Sequence, residues 1–223
     1  SGAKPVPVDV DHNGQLDSRA LEQAITLQTK TVIMVHLYGL VGNLEVIARI
    51  CRKNHLVLIE DCAQAFGSLY RGKSVGTIGD ISCFSFYPTK NLGALGDGGA
   101  IWTRKKSWYE FFLASKAYGE KTRYASEFIA GHSRLPELQA GALNVYISHF
   151  DDDIRRRRAV WRSYEKEFRA AKLTRFVRML QSDPQSQPAP HILVVEVEKR
   201  DVLQKFLKSR GISTLIHYPR PVH

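Results

Sequence analysis

Lys90 stands in "FSFYPTKNLGALGDGGA", residues 84–100, where an aromatic, β-prone run dissolves into glycine. Asp61 closes an earlier apolar run, "LVLIED", 29 positions before it. A lysine that attacks an aldehyde must be uncharged part of the time, which burial or a nearby cation achieves. A carboxylate aimed at a pyridine nitrogen keeps that ring protonated and makes it an electron sink. These are the two protein groups that pyridoxal phosphate needs most. Ser85 and the backbone amides of "GALGDGG" offer hydrogen bonds suited to a phosphate. Taken singly, each residue also fits a plain role: Lys90 as a solvated turn lysine, Asp61 as a cap or ion-pair partner, Gln64 and Ser85 as loop and strand residues, His36 and His217 as satisfied structural imidazoles. Together they form a candidate site, with the glycines expected to let a bulky ligand approach Lys90.

The elements that must position these groups alternate strand and helix. "PVPVDV" reads as a strand, "DSRALEQAI" as a helix opened by Asp17 or Ser18, and "TVIMVHL" as a strand apolar on both faces. "NLEVIARICRKN" has helical apolar spacing with Asn43 as its cap, and "LVLIED" is a second doubly buried strand. A right-handed crossover makes these two strands parallel, so that His36, Tyr38 and Asp61 emerge at one carboxyl edge, where such sheets bind ligands. "ISCFSFY" and "GAIWT" continue the sheet on either side of the Lys90 turn. Past Lys105 helices dominate: "RLPELQAGALNVYISHF" and "DIRRRRAVWRSYEKEFRAA". The Pro-, Gln- and Ser-rich "QSDPQSQPAP" reads as a loop near a boundary, followed by a strand "HILVVEV", a helix "RDVLQKFLKSRG" and an extended "ISTLIHY". The expected division is a large domain over 1–150 and a connecting helix with part of a smaller α/β domain over 151–223.

Composition excludes several classes. With 223 residues and 43% hydrophobic content the chain can bury a substantial core. No apolar run approaches the roughly 20 residues needed to cross a bilayer, and the N-terminus lacks a signal-peptide core, which makes the cytoplasm the expected location. Cys51, Cys62 and Cys83 lie in apolar segments without CxxC spacing, which points to reduced thiols and implies no metal. The net charge of +10 raises nucleic acid as a partner. Its densest run, "DDDIRRRRAVWR", places Asp151, Asp152 and Asp153 four residues before Arg155, Arg156 and Arg157, which reads as a self-paired, solvated helix face. Neither exposed aromatics interleaved with basic residues nor a nucleic-acid module is present.

"PVDVD", "VHLYG", "IEDCAQAFGSLYRGKSVGTIGDISCFSFYPTKNLGALGDGGAIWT", "SRLPELQA" and "GISTLIHYPRPVH" occur in this order. The whole run resembles the DegT/DnrJ-type aminotransferases that act on nucleotide-linked keto-sugars. The resemblance implies an α/β type I pyridoxal-phosphate transferase fold, with a mixed, mostly parallel sheet flanked by helices, and a homodimer whose sites lie at the interface. It makes Lys90 the Schiff-base lysine and proton shuttle, and Asp61 the partner of the pyridinium nitrogen. Gln64 would meet the cofactor ring or its phenolic oxygen, and Ser85 the phosphate. His36, Tyr38, His217 and Tyr218 are candidate substrate contacts. An amino acid, commonly glutamate, would supply the amine that passes to a sugar ketone. Dehydratases of the same family carry His in place of the lysine, and Lys90 argues against that branch.

Three departures bear on this. His132 stands before "SR" where family members usually carry an Asn that reaches the phosphate in the neighbouring subunit. The sequence resembles a family member truncated at both ends, lacking an N-terminal segment whose helix grips the phosphate, so a noncatalytic binding or regulatory module is the alternative reading. Finally, Tyr87, Leu95, Gly96 and Asp97 differ from the "FHxxKxxTTGEGG" segment common in enzymes that aminate the 4-keto carbon, and point toward dTDP-3-keto-6-deoxyhexoses.

Overall fold

A computed structural model of the protein describes residues 2–221. Ser1 and the last two residues of "GISTLIHYPRPVH" lie outside the described residues. The elements run α1 (Ser18–Ala24), β1 (Thr31–Val35), α2 (Leu44–Lys53), β2 (Val57–Asp61), β3 (Leu69–Tyr70), β4 (Lys73–Ser74), β5 (Ile81–Ser85), β6 (Gly99–Thr103) and α3 (Lys106–Ser115). They continue with β7 (Glu120–Thr122), β8 (Ala125–Ser126), α4 (Glu137–Ile147), α5 (Phe150–Ala170), β9 (Arg178–Met179), β10 (Ser186–Gln187), β11 (Val195–Glu196) and α6 (Arg200–Ser209).

The main sheet has the order β1-β2-β5-β6, with β1, β2 and β5 parallel and β6 antiparallel at the edge. The βαβ unit read from the sequence is therefore present, and its helices start where their caps demand. The Asp17 side chain accepts from Arg19 and Ala20 N–H, and Asn43 Oδ1 accepts from Val46 N–H at 3.3 Å. Leu44, Ile47, Ala48 and Cys51 of α2 pack on Val32, Met34 and Leu58, the main core.

Strands alternate their side chains between faces, so the register sorts the sheet into two sets. Val35, Asp61, Cys83 and Ile101 stand in one row across the four strands. Met34 and Glu60 belong to the opposite face, which α2 covers. β1 alternates exposed and buried, with Ile33 61% and Val35 39% exposed, and Ile101 is exposed on the edge strand. The expectation that "TVIMVHL" is buried on both faces is corrected: its apolar outer face is open among the described residues. "PVPVDV" is not a strand; Pro5 and Pro7 lack N–H donors, and only Val10 makes a bridge, to Leu16. "HILVVEV" keeps only β11, paired with β9, and "ISTLIHY" forms no strand.

The helical region meets the sheet through the lysine turn. Leu92 and Ala94 pack with Leu143 of α4, Phe150 and Ile154 of α5, and Ala189. Phe66 stands edge-on to Phe84, Phe86 and Phe150, with centroids 5.2–6.0 Å apart. The arginine run is not one solvated face. Arg155 and Arg156 pair with Asp152 and Asp153 at a spacing of three, whereas Arg157 and Arg158 are half-buried and bind backbone carbonyls of residues 187–191 and 67. A helix turns about 100° per residue, so four consecutive arginines cannot share a face.

Candidate active site at the carboxyl edge of the sheet

Asp61 and Ser85 end adjacent parallel strands on the same, open face of the sheet. Asp61 is half-buried; its Oδ1 accepts the Ala63 N–H at 3.0 Å, which leaves Oδ2 for a further donor. Its charge reaches Cys83, whose thiol is pushed up by burial first and by Asp61 second. Ser85 Oγ accepts the Tyr87 N–H at 3.3 Å, leaving its own O–H free to donate. Five residues on, half-buried Lys90 sits in a turn closed by its N–H to the Tyr87 carbonyl at 2.8 Å and by Ala94 N–H to the Phe86 carbonyl at 2.8 Å.

Beside the lysine, Asn91 Nδ2 donates to the Ala189 carbonyl at 2.8 Å, while Asn91 Oδ1 and His191 Nδ1 are buried without a partner. The glycines of this turn serve the chain itself. A Cβ on Gly93 would press the Pro88 carbonyl at 2.5 Å, on Gly96 the Gln139 amide at 2.9 Å, on Gly98 Leu135 at 3.0 Å, and on Gly99 the Phe84 carbonyl at 2.7 Å. The expectation that they clear space for a ligand is corrected: their room is filled by backbone and side chains that hold the turn against the sheet and α4.

His36 is not on the site surface. It is fully buried and its Nε2 lies 3.0 Å from Glu60 Oε2, on the α2 side of the sheet, so its ring has no surface to offer a substrate. Glu60 also accepts from Gly76, Ile78 and Gly79 N–H. Burial pushes its carboxyl up, but the hydrogen bonds from His36, Gly79 and Gly76 outweigh that and hold it below the ordinary value. His36, Glu60 and Cys62 bring metal-ligand-type atoms within 4.8 Å of one another, yet the carboxylate is saturated by these four donors and the cluster reads as a structural anchor. Parity decides the difference: Glu60 faces α2, and Asp61, one residue on, faces the open side.

Four other candidates do come together. Tyr38, in the left-handed region at φ 65°, donates its N–H to Gln64 Oε1 at 2.6 Å and its hydroxyl to the His217 carbonyl at 2.5 Å. Gln64 Nε2 donates to the Tyr218 hydroxyl at 3.3 Å. Burial first and Tyr218 second raise the Tyr38 phenol. A C-terminal segment distant in sequence is thus folded onto the edge beside Asp61. His132 stands apart: it is exposed, bridges Ala117 and packs its ring 5.4 Å from Tyr118, and among the described residues it makes no hydrogen bond to Ser85 or Lys90.

Sequence reasoning passed over His191 and Glu60. His191 follows "QPAP" at the head of an apolar run, which reads as a loop-to-strand junction, and Glu60 is masked by the aspartate after it.

The sequence pattern of the DegT/DnrJ/EryC1/StrS aminotransferase family matches residues 1–223. The dTDP-3-amino-3,6-dideoxy-alpha-D-galactopyranose transaminase of Aneurinibacillus thermoaerophilus is 42% identical over 224 residues, covering 100% of this chain and 61% of its own. The erythromycin biosynthesis sensory transduction protein EryC1 of Saccharopolyspora erythraea is 41% identical over 225 residues, covering 100% and 60%. The crystal structure of S. venezuelae DesV in complex with a ketimine intermediate superposes with a TM-score of 0.95 at 37% identity, over 100% of this chain and 59% of that one. The chain thus spans about three fifths of the length of these relatives. With the family pattern matched over the whole length and relatives above 40% identical, the chain belongs to the DegT/DnrJ/EryC1/StrS aminotransferase family.

Proposed function

We propose that the chain carries the reactive edge of a pyridoxal-phosphate-dependent transaminase that moves an amino group from an amino acid, glutamate, to a nucleotide-linked keto-sugar of the dTDP-3-keto-6-deoxyhexose class. The observation that carries this reading is the placement of Asp61 and Ser85 on one open face at adjacent strand ends, with Lys90 in the turn that follows. The residues fit the cofactor: a carboxylate with a free oxygen, a hydroxyl with a free hydrogen and an amine at one edge, with the unpartnered buried Oδ1 of Asn91 on the next residue. When bound, pyridoxal phosphate supplies an aldehyde and a ring able to take up an electron pair. Asp61 keeps a proton on the ring nitrogen through Oδ2, and Ser85 donates to the phosphate. Gln64, fixed by Tyr38, has a second amide hydrogen for the ring oxygen. Lys90 takes and returns the protons of the transfer. Tyr38, His217 and Tyr218 line the approach for the sugar, and His132 reaches a partner subunit's phosphate site in a homodimer. A nucleotide-linked substrate belongs in the cytoplasm. The division at residue 150 into a large and a smaller domain is part of the same reading.

The experiment is borohydride reduction in the presence of pyridoxal phosphate, followed by peptide mapping. The adduct is expected on Lys90. An adduct on Lys73 or spread over surface lysines overturns the site, and no adduct at all favours a binding or regulatory module. In a side-by-side assay with glutamate, the 3-keto sugar is expected to react much faster than its 4-keto isomer; the reverse preference overturns the substrate class.

A further inference from the structure

The lysine turn, residues 86–98, closes on itself: Phe86 N–H donates to the Gly98 carbonyl at 2.7 Å, and Ala94 N–H to the Phe86 carbonyl at 2.8 Å. Leu92 and Ala94 hold it down by packing against α4, α5 and Ala189, but apolar contact is non-directional and does not choose the rotation of the tip. Among the described residues, one side-chain hydrogen bond ties this turn to a distant segment: Asn91 Nδ2 donates to the Ala189 carbonyl at 2.8 Å. That carbonyl also fixes which way the amide faces, because the reversed amide would set oxygen against oxygen.

The acceptor is itself immobilised. Ala189 is fully buried, and its N–H donates to the buried Ser68 hydroxyl at 2.8 Å, which in turn donates to the Gly39 carbonyl at 2.9 Å. Gly39 permits this approach: at φ +82° it leaves no Cβ to strike the Ala189 carbonyl. On either side, Arg158 Nε donates to the Pro188 carbonyl at 2.7 Å and its Nη2 to the Gln187 and Gly67 carbonyls, each at 3.3 Å. Arg157 Nη1 reaches the Pro190 and His191 carbonyls at 3.4 and 3.2 Å. Segment 187–191, which carries two prolines and reads as a linker in sequence, is thus a strap bound at every residue.

We propose that Asn91 is a positioning residue for Lys90: its bond to the clamped Ala189 carbonyl sets the rotation of the peptide that joins the two residues, and so the point from which the lysine stem leaves the turn. This rests on the reading of Lys90 as the reactive amine. A lysine stem is four carbons long and flexible, so its origin on the backbone is what the fold can fix. Attack on an aldehyde needs reacting atoms held close and aligned, and a small displacement of that origin is costly. The same strap reaches the other side of the edge, where His191 N–H donates to the Tyr38 carbonyl at 2.9 Å and Tyr38 N–H donates to Gln64 Oε1 at 2.6 Å. One immobile segment therefore holds the turn that carries the amine and the loop that orients Gln64 at a single spacing.

The test compares Asn91→Ala with Asn43→Ala, which removes the cap of α2 and supplies a loss of stability of similar size away from the turn. The first readout needs no cofactor. Amide hydrogen exchange over residues 86–98 is expected to be about fivefold faster in Asn91→Ala, the equilibrium worth of one net hydrogen bond, and within about twofold of the unsubstituted protein in Asn43→Ala. The second is borohydride trapping with limiting pyridoxal phosphate, with adducts on Lys90 and on exposed Lys73 counted in the same sample. The ratio of Lys90 to Lys73 adduct is expected to fall about tenfold in Asn91→Ala and to stay within about twofold in Asn43→Ala. Ser68→Ala, which frees the other side of the Ala189 peptide, is expected to lower the ratio as well, and the double variant to fall no further than the lower single, because both act through one peptide. An Asn91 that serves stability alone would leave the ratio unchanged, and that result, or unaltered exchange of the turn, overturns the proposal while Lys90 remains the adduct site. Losses that multiply in the double variant overturn the route through Ala189. Absence of a Lys90 adduct in the unsubstituted protein instead defeats the reading of Lys90, and the proposal with it.

Discussion

Glu60→Gln tests whether the anchor beneath Asp61 is an ionised hub. The buried carboxylate accepts His36 Nε2 at 3.0 Å and Gly76 N–H at 2.8 Å on Oε2, and Ile78 N–H at 2.9 Å and Gly79 N–H at 2.5 Å on Oε1. A glutamine can face its NH₂ toward only one of these pairs. Facing Ile78 and Gly79, it orphans two buried N–H groups. Facing Gly76 and His36, it orphans one N–H and drives the His36 hydrogen to Nδ1, which has no partner. The second arrangement costs less, yet each orphan costs about 1–3 kcal/mol, and the remaining bonds lose charge assistance. Removing a buried charge returns part of this, so a net loss of about 3 kcal/mol is expected. The check is urea unfolding at pH 7, where the midpoint should fall at constant m-value. The acid limb supplies a second check. Because the folded-state value of Glu60 is depressed, its contribution is full above the unfolded value and is lost as pH falls through the folded one. Glu60→Gln should therefore flatten stability against pH below about 4.3. A loss under about 1 kcal/mol, or an unaltered acid limb, would refute the reasoning.

Asp61→Asn should change the unfolding free energy by less than about 1 kcal/mol, since Asp61 is half-buried with one local acceptor bond, while on the proposed transaminase reading amine transfer from glutamate falls by at least a hundredfold. Gly39→Ala puts a Cβ onto the Ala189 carbonyl and 2.9 Å from His191 N at φ +82°, and should cost about 2–4 kcal/mol in thermal or urea unfolding. Because folding depresses His191, its contribution is full above the unfolded value near 6.5 and is lost as pH falls toward about 4. The protein should therefore weaken over that window in calorimetry, and His191→Asn should weaken less.

Local chemistry makes some of this legible in sequence. Asp17 and Asn43 announce helix starts through side chains that accept from the first turn, and the apolar runs around Val57 and Ile81 announce strands. Which side of the sheet a residue occupies is not local. Val35 pairs with Asp61, and Asp61 with Cys83, because α2 must bury Met34 and Leu58; a slip of one residue would have put His36 on the open face and Asp61 beneath the helix. The same holds for "ISTLIHY", whose composition suits a strand but which finds no ladder to join.

The arginine run shows where a local rule was applied too far. Spacing-of-four pairing is sound for any one acid and base on an exposed helix, and Arg155 and Arg156 do meet aspartates, at a spacing of three. Four successive residues nevertheless sweep most of the helix circumference, and Ile154, directly before them, is buried. Some of the run had to point inward from that fact alone. What the sequence does not contain is the object they meet: Arg157 and Arg158 bind carbonyls some thirty residues further on, in segment 187–191, whose Ala189 carbonyl accepts from Asn91, the residue after Lys90. The basic excess that first suggested an external anion is in part internal scaffolding. Its two inward cations fix the backbone of the segment whose Ala189 carbonyl holds Asn91, next to Lys90 in the chain.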